Sequence, residues 1–235
     1  KVSLDAGRKE TYKKIHRPKN PGDWERVLAN LKVAVALKRK NRLACRIGAQ
    51  LLLLPPARGE NGAVIPGNAA EAIRLAKKLK AIGLTYFIIK PYSHHPLSLT
   101  KVYENLVYRD NSALERALSK IASDDFEIVF RSRSMLKYSQ PRNYLKCLAI
   151  PFAWAYIMAD GSVRGCSVYL ADRRFYLGNI NEQPFKEIWQ GARRKKLWQF
   201  MKSFKPENCR KNCIMDRVNE HLWETTHPPY NINFI

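Results

Sequence analysis

The apolar residues of the first 135 positions alternate between two periods. Trp24, Val27, Leu28, Leu31 and Val35 recur at i, i+3, i+4, i+7 and i+11, one face of a helix. Asp23 is placed to cap its start. Arg46 to Leu54 is an apolar run closed by Pro55-Pro56, which predicts a buried strand. A loop with Gly59, Gly62, Pro66 and Gly67 follows. Asn68 then stands at a helix cap, Ala72, Ile73, Ala76 and Leu79 face inward, and Gly83 stops the helix. Thr85 to Lys90 reads as a strand ended by Pro91. Asp110 or Asn111 opens a third helix through Leu114, Ala117, Leu118 and Ile121, and Phe126 to Phe130 is a further strand. With Val2-Ser3-Leu4 as the end of a short strand, the order is β-α-β-α-β-α-β. That order predicts an α/β fold with a parallel sheet, doubly wound or part of a barrel. In both, chemistry gathers at the carboxyl ends of the strands. Here those are the segments after Leu4, Leu54 and Lys90.

The pattern changes after about Arg133. Ala149 to Met158 and Ser162 to Leu170 are strand-like runs joined by Asp160-Gly161, a hairpin signal. Phe175 to Ile180 predicts a short strand closed by Gly-Asn. A single helix is expected next, with Phe185, Ile188, Trp189 and Ala192 on one face. Leu197, Phe200, Met201 and Phe204 continue that face, and Pro206 ends the helix. The basic run 193–196 is expected on the helix's solvated side. Thr225 to Ile235, with Pro228-Pro229 and no period, predicts an extended arm.

Charge adds one constraint. The 235 residues hold 42 Lys and Arg against 20 Asp and Glu, a net charge of +22. Such a balance attracts polyanions, whether nucleic acid, an acidic partner or a phosphorylated substrate, without choosing among them. It is spread along the chain, with the dense runs limited to 38–40 and 193–196. The longest apolar run, Ile47 to Pro56, is too short to span a bilayer, so no membrane role is expected. Lys1 to Arg17 does not read as a signal peptide, which predicts a cytoplasmic protein. The chain starts at Lys1 and enters a strand almost at once, so earlier residues are expected to be missing.

The five cysteines carry most of the chemistry. Cys45 stands alone at the edge of a predicted strand and is expected to be a core thiol. Cys147 and Cys166 bracket the hairpin, and Cys209 and Cys213 sit in a short polar turn. Four thiols converging from a hairpin and a turn suit a tetrathiolate site for zinc or an iron–sulfur cluster, and spacing leaves both open. Lys146, Arg164, Arg210 and Lys211 adjoin these cysteines, and positive charge favours the metal-bound thiolate.

Cys147, Gly161, Cys166 and the Cys209-x-x-x-Cys213 pair resemble the auxiliary-cluster region of radical SAM enzymes, the SPASM or twitch domain. Tyr156 to Val163, Leu177-Gly178-Asn179-Ile180 and Phe185-Lys186-Glu187-Ile188-Trp189 resemble its hairpin, strand and helix. Four cysteines in place of seven resemble the shortened, single-cluster form. Val2 to Ala6, with Tyr12, Ile15 and Arg17, is similar to the fourth strand of a radical SAM barrel and the segment beyond it. The resemblance implies the later part of a partial (β/α)6 barrel over residues 1–135. A small α+β twitch domain would follow over 140–220, then an extended tail over 221–235.

It also implies an auxiliary 4Fe-4S cluster on Cys147, Cys166, Cys209 and Cys213. The full-length parent would carry a second 4Fe-4S cluster and S-adenosylmethionine, cleaved to a 5′-deoxyadenosyl radical that abstracts a substrate hydrogen. The Cys-x-x-x-Cys-x-x-Cys loop that binds that second cluster does not occur in this sequence, so the chain alone is expected to be inactive. Ser3 and Arg17 resemble positions that contact S-adenosylmethionine. Lys90, Tyr92, His94 and His95 follow a strand on the active face, and Gln50 is expected to face the barrel lumen; these five are candidate substrate contacts. The implied partners are an electron donor such as flavodoxin or ferredoxin and an anionic substrate. Two other classes remain: a zinc-stapled nucleic-acid-binding protein, and a non-catalytic cluster-carrying subunit.

Overall fold

A computed structural model describes residues 1–59, 62–98, 101–228 and 230. They divide into two compact units, Lys1–His94 with Ser98–Ser139, and His95–Leu97 with the chain from Gln140.

In the first unit, strands β1 (Val2–Ser3) and β2 (Gly48–Leu53) precede a small antiparallel pair, β3 (Ala57–Arg58) and β4 (Val64–Ile65). Strands β5 (Tyr86–Pro91) and β6 (Glu127–Phe130) follow. The order β1-β2-β5-β6 makes one sheet, parallel throughout, with Ser3 opposite Gln50, Gln50 opposite Ile88 and Ile88 opposite Val129. Each strand is added on the same side of the one before. Right-handed crossovers repeated in one direction place their helices on one face.

Burial agrees with that geometry. Ala49, Leu51, Leu53, Phe87 and Ile89 point to one face and are buried in a single core. Helices α2 (Asp23–Lys40), α3 (Ala69–Ile82) and α4 (Ser112–Ser119) contribute Trp24, Leu31, Val35, Leu75, Leu79 and Leu118 to it. Gln50, Leu52, Ile88 and Lys90 point to the opposite face and are half-buried.

Several local expectations are revised. A helix not foreseen, α1 (Lys9–His16), follows β1 and buries Thr11 and Tyr12. Asp23 does not cap α2: Gly22 holds that position and Asp23 is the first helical residue. Asn68 holds the N-cap position of α3, its carbonyl accepting from Glu71 N at 3.0 Å, but its side chain caps none of the helix N–H groups. Its amide instead accepts from Leu54 N at 2.9 Å and donates to Asp5 O at 2.9 Å and Leu52 O at 2.7 Å, stitching the ends of β1 and β2. Cys45 is exposed, because α2 ends at Lys40, β2 starts only at Gly48, and Cys45 lies on the link between them.

In the second unit, α6 (Ala149–Ala153) follows the short α5 (Ser132–Leu136) of the first unit and replaces the start of an expected strand. Strands β7 (Tyr156–Ile157), β8 (Ser162–Arg164) and β9 (Tyr176–Asn179) form an antiparallel sheet. The Asp160-Gly161 turn joins β7 to β8 as expected, although the strands are shorter. Gly161 adopts φ +80°, and Asp160 Oδ1 accepts from Ser162 N at 2.9 Å.

The expected single helix is two, α7 (Phe185–Gln190) and α8 (Ala192–Ser203). Gly191 breaks it in extended backbone, where a Cβ would lie 2.8 Å from the Glu187 carbonyl oxygen. Phe185 is consequently exposed and stacks on Trp189. Arg194 is not on the solvated side. It lies 3.9 Å from the Trp189 ring and donates to Trp189 O and Pro151 O.

The first residues of the expected tail, 221–226, are instead the second half of helix α9 (Asp216–Thr226). Residues 229 and 231–235 of that arm lie outside the described residues. Among the described residues no helix is long and apolar enough to cross a membrane.

Candidate metal centre

Cys147 precedes α6, Cys166 follows β8, and Cys209 and Cys213 flank the turn before α9. All are free thiols; Cys147 and Cys166 are buried and the other two half-buried. The four line one cavity with Ile150, Trp154 and Phe204. Tyr144, Tyr169 and Asn219 add polar atoms to its wall.

Each thiol arrives by a local cause. The β8–β9 pairing folds the chain back so that Cys166 faces the core with Val163 and Phe175. The turn that carries Cys209 is held through Arg142. Its guanidinium donates to Pro206 O at 2.7 Å, Arg210 O at 2.6 Å and Cys209 O at 3.3 Å. Arg142 is itself fixed by buried Asp216, at 3.5 Å from Nε, and Tyr144 donates to the same carboxylate at 2.6 Å. Asn219, one turn along α9, accepts from Ala149 N at 2.8 Å.

Three sulfurs accept N–H donors. Val168 N donates to Cys166 Sγ at 3.3 Å, Met215 N to Cys213 Sγ at 3.5 Å and Asn219 Nδ2 to Cys147 Sγ at 3.5 Å. Donors aimed at sulfur favour the thiolate and tune the potential of a bound cluster. Burial works the other way, pushing Cys147 up to about 12 and Cys209 up to about 11, with the neighbouring thiols adding to it. Cys166 is raised for the same reason, while Arg210 opposes the shift. The Nε of Arg210 is buried without a hydrogen-bond partner, and so is the Nε of Arg142 apart from its ion pair. Two half-buried guanidinium groups beside a thiol-lined cavity suit a negatively charged occupant.

The donor set fits a tetrathiolate iron–sulfur cluster. Zinc needs four sulfurs about 2.3 Å from one centre. A four-iron cluster takes one sulfur at each of four irons and accepts a wider spacing. Among the described residues, no three His, Cys, Asp or Glu side chains are gathered closely enough to hold a single ion. The cavity the thiols line measures about 20 Å³.

Residues 147–214 match the SPASM model, an iron–sulfur cluster-binding domain. The SPASM match begins on Cys147 and ends one residue past Cys213, so it spans all four thiols. SPASM domains occur in radical SAM enzymes. No curated protein and no solved structure matches the chain. Arg142, Tyr144, Asp216 and Asn219, which brace the SPASM segment, were not legible as site residues. All four lie outside the cysteine spacing, and Asp216 and Asn219 carried only the weak signal of polar residues three apart on an unforeseen helix.

The remaining candidates fall on the first unit, with one exception. Ser3 and Gln50 meet across the sheet, Gln50 Nε2 donating to Ser3 Oγ at 3.3 Å, and Gln50 Oε1 is buried without a partner. Ser3 Oγ donates to Asp5 Oδ2 at 3.4 Å. Asp5 also accepts from Leu52 N at 2.7 Å and lies 3.6 Å from His16 Nε2, a pair not singled out from sequence. Lys90 shares this face, its ammonium held below its ordinary range by burial, then by Lys1 and Arg131. Arg17 is exposed at the end of α1 with φ +48°.

Tyr92 N donates to Tyr108 Oη at 2.8 Å, and its ring packs on Tyr103. His94 lies 3.9 Å from Glu104. His95 belongs to the second unit: Nε2 donates to Ser167 O at 3.0 Å while Nδ1 accepts from Leu97 N at 3.1 Å.

Proposed function

We propose that this chain is part of a radical SAM enzyme whose second unit holds an auxiliary 4Fe-4S cluster on Cys147, Cys166, Cys209 and Cys213. The observation that carries it is that the four thiols within the SPASM match line one cavity. The bound cluster supplies one-electron transfer. The chain's own residues set its conditions: Val168, Met215 and Asn219 hold the sulfurs by N–H donation, and Arg142 fixes the backbone of the Cys209 turn. Four cysteines would fill every iron, which favours electron transfer over direct substrate ligation.

The sheet supports the enzyme reading. Parallel strands added in one direction, with helices on one face, are the topology of a β/α barrel segment. The face opposite the helices would be the lumen, presenting Ser3, Gln50 and Lys90, with Asp5 and His16 at its end. Arg17 and Ser3 would contact S-adenosylmethionine, the source of the hydrogen-abstracting radical, and Lys90, Tyr92, His94, His95 and Gln50 the substrate. A small electron-transfer protein such as flavodoxin or ferredoxin would supply the electron in a cytoplasmic setting.

Iron, sulfide and zinc content of the chain purified without oxygen tests the centre. About four irons and four sulfides per chain are expected, lost on Cys209→Ala and on Cys213→Ala. One zinc without sulfide overturns the reading. For the enzyme itself, a gene encoding a Cys-x-x-x-Cys-x-x-Cys segment ahead of Lys1 is expected, and a start codon immediately before Lys1 overturns that part.

A further inference from the structure

A groove on the second unit gathers cations that the cysteine centre does not use. Arg193, Lys196 and Phe200 recur at i, i+3 and i+7 on one face of α8 and form one wall. Arg164 of β8, Tyr176 of β9 and the turn at Arg173-Arg174 complete it. None of these residues lines the cysteine cavity.

Three of the cations are held in place. Arg164 and Arg193 both lie 4.8 Å from the Tyr176 ring centre. Arg174 lies 4.2 Å from the Phe200 ring and is forked onto Asp172 at 2.6 Å. Asp172 therefore answers Arg174 alone. Arg164, Arg173, Arg193 and Lys196 make no ion pair with any of the described acidic residues, although Arg164 acts on Asp160 at longer range. A solvated basic face spreads its charges apart; here two guanidinium groups share one ring. Stacking pre-orients their N–H forks, the arrangement that recognises phosphate. A compact anion would relieve the repulsion among these cations.

Size and wall chemistry narrow the ligand. The groove holds about 560 Å³, within the range of small-molecule sites. The guanidinium groups stacked on Tyr176 and Phe200 give it flat faces, and guanidinium planes stack on bases. We propose that this groove binds a free nucleoside di- or triphosphate, its phosphates on Arg164, Arg173, Arg193 and Lys196. The proposal does not rest on the iron–sulfur reading.

Calorimetric titration of the full chain with ATP, with tripolyphosphate and with a short oligothymidylate tests it. The variant pair Arg173→Gln and Lys196→Gln removes two exposed cations that make no ring contact. The control pair Lys38→Gln and Lys40→Gln removes equal charge from α2. ATP is expected to bind more tightly than tripolyphosphate. The groove pair should weaken ATP by about tenfold or more, and the control pair by about twofold or less. Far-ultraviolet circular dichroism should be the same for all four forms of the chain: wild type, both pairs, and Lys196→Gln alone, which keeps the test interpretable if the double variant unfolds. Equal weakening by the two pairs overturns the proposal, as does no ATP binding. Tighter binding of oligothymidylate than of ATP overturns it in favour of a nucleic-acid strand, and tripolyphosphate matching ATP overturns the nucleoside part.

Discussion

Asn68 does more for the first unit than its position ahead of a helix suggests. It is fully buried and satisfies three backbone groups from two strands. Asn68→Ala leaves those groups without partners, at about 1 kcal/mol or more each, so a loss of about 3 kcal/mol is expected in urea unfolding. His16 sets a pH dependence. Burial holds its imidazole below the ordinary value of 6.5, and the charge of Asp5 opposes this less strongly. Asp5 N donates to His16 Nε2 at 3.1 Å, which requires that nitrogen unprotonated. The unfolded chain then takes up a proton at higher pH than the folded one, so stability falls as pH drops below about 6.5. Asp5, whose carboxyl is raised by burial, acts in the opposite sense from its ordinary 3.8 upward. Urea unfolding at about pH 7.5 and about pH 5.5 should show the loss, and His16→Gln should remove it. An unchanged difference in that variant would refute the assignment.

At the scale of elements, legibility followed how much of an element's reason is local. Helix α2, β2, α3 and β5 were readable because each buries a periodic apolar face in one core. The Asp160-Gly161 turn was readable because its backbone demands are met by two adjacent residues. Gly161→Ala should cost about 1–2 kcal/mol in thermal unfolding, since φ is +80° and a Cβ would lie 2.4 Å from Asn181 Nδ2. Helix α9 was not readable. Its buried side chains are Asp216 and Asn219, polar residues whose partners Arg142, Tyr144 and Ala149 lie about seventy positions away. The same holds for the site: the cysteines were legible by residue type, whereas their bracing depends on long-range pairing. Arg194 was misread because only the fold brings Trp189 and Pro151 O beneath it.

At the scale of the whole molecule, each unit has a main core of its own among the described residues, one centred on Leu51, Phe87 and Ile89, the other on Val163, Phe175 and Leu197, and a smaller cluster of Leu54, Tyr103 and Leu106 belongs to the first unit. Calorimetry of the anaerobic chain should therefore resolve two cooperative transitions. Cys147→Ala should lower one of them and leave the other within about 2 °C, because a ligand stabilises only the unit that binds it. A single transition displaced as a whole would contradict this. The net charge of +22 spans both units, so salt will act on each. The clamp formed by Arg142 has a further consequence. By holding the carbonyls of Pro206, Cys209 and Arg210, it orders the backbone of that turn through bonds that involve none of the four sulfurs. The entropy of fixing that backbone is lost on folding and not on cluster insertion. Removal of iron should then leave a folded, refillable mould, and the centre should be rebuilt without refolding the chain.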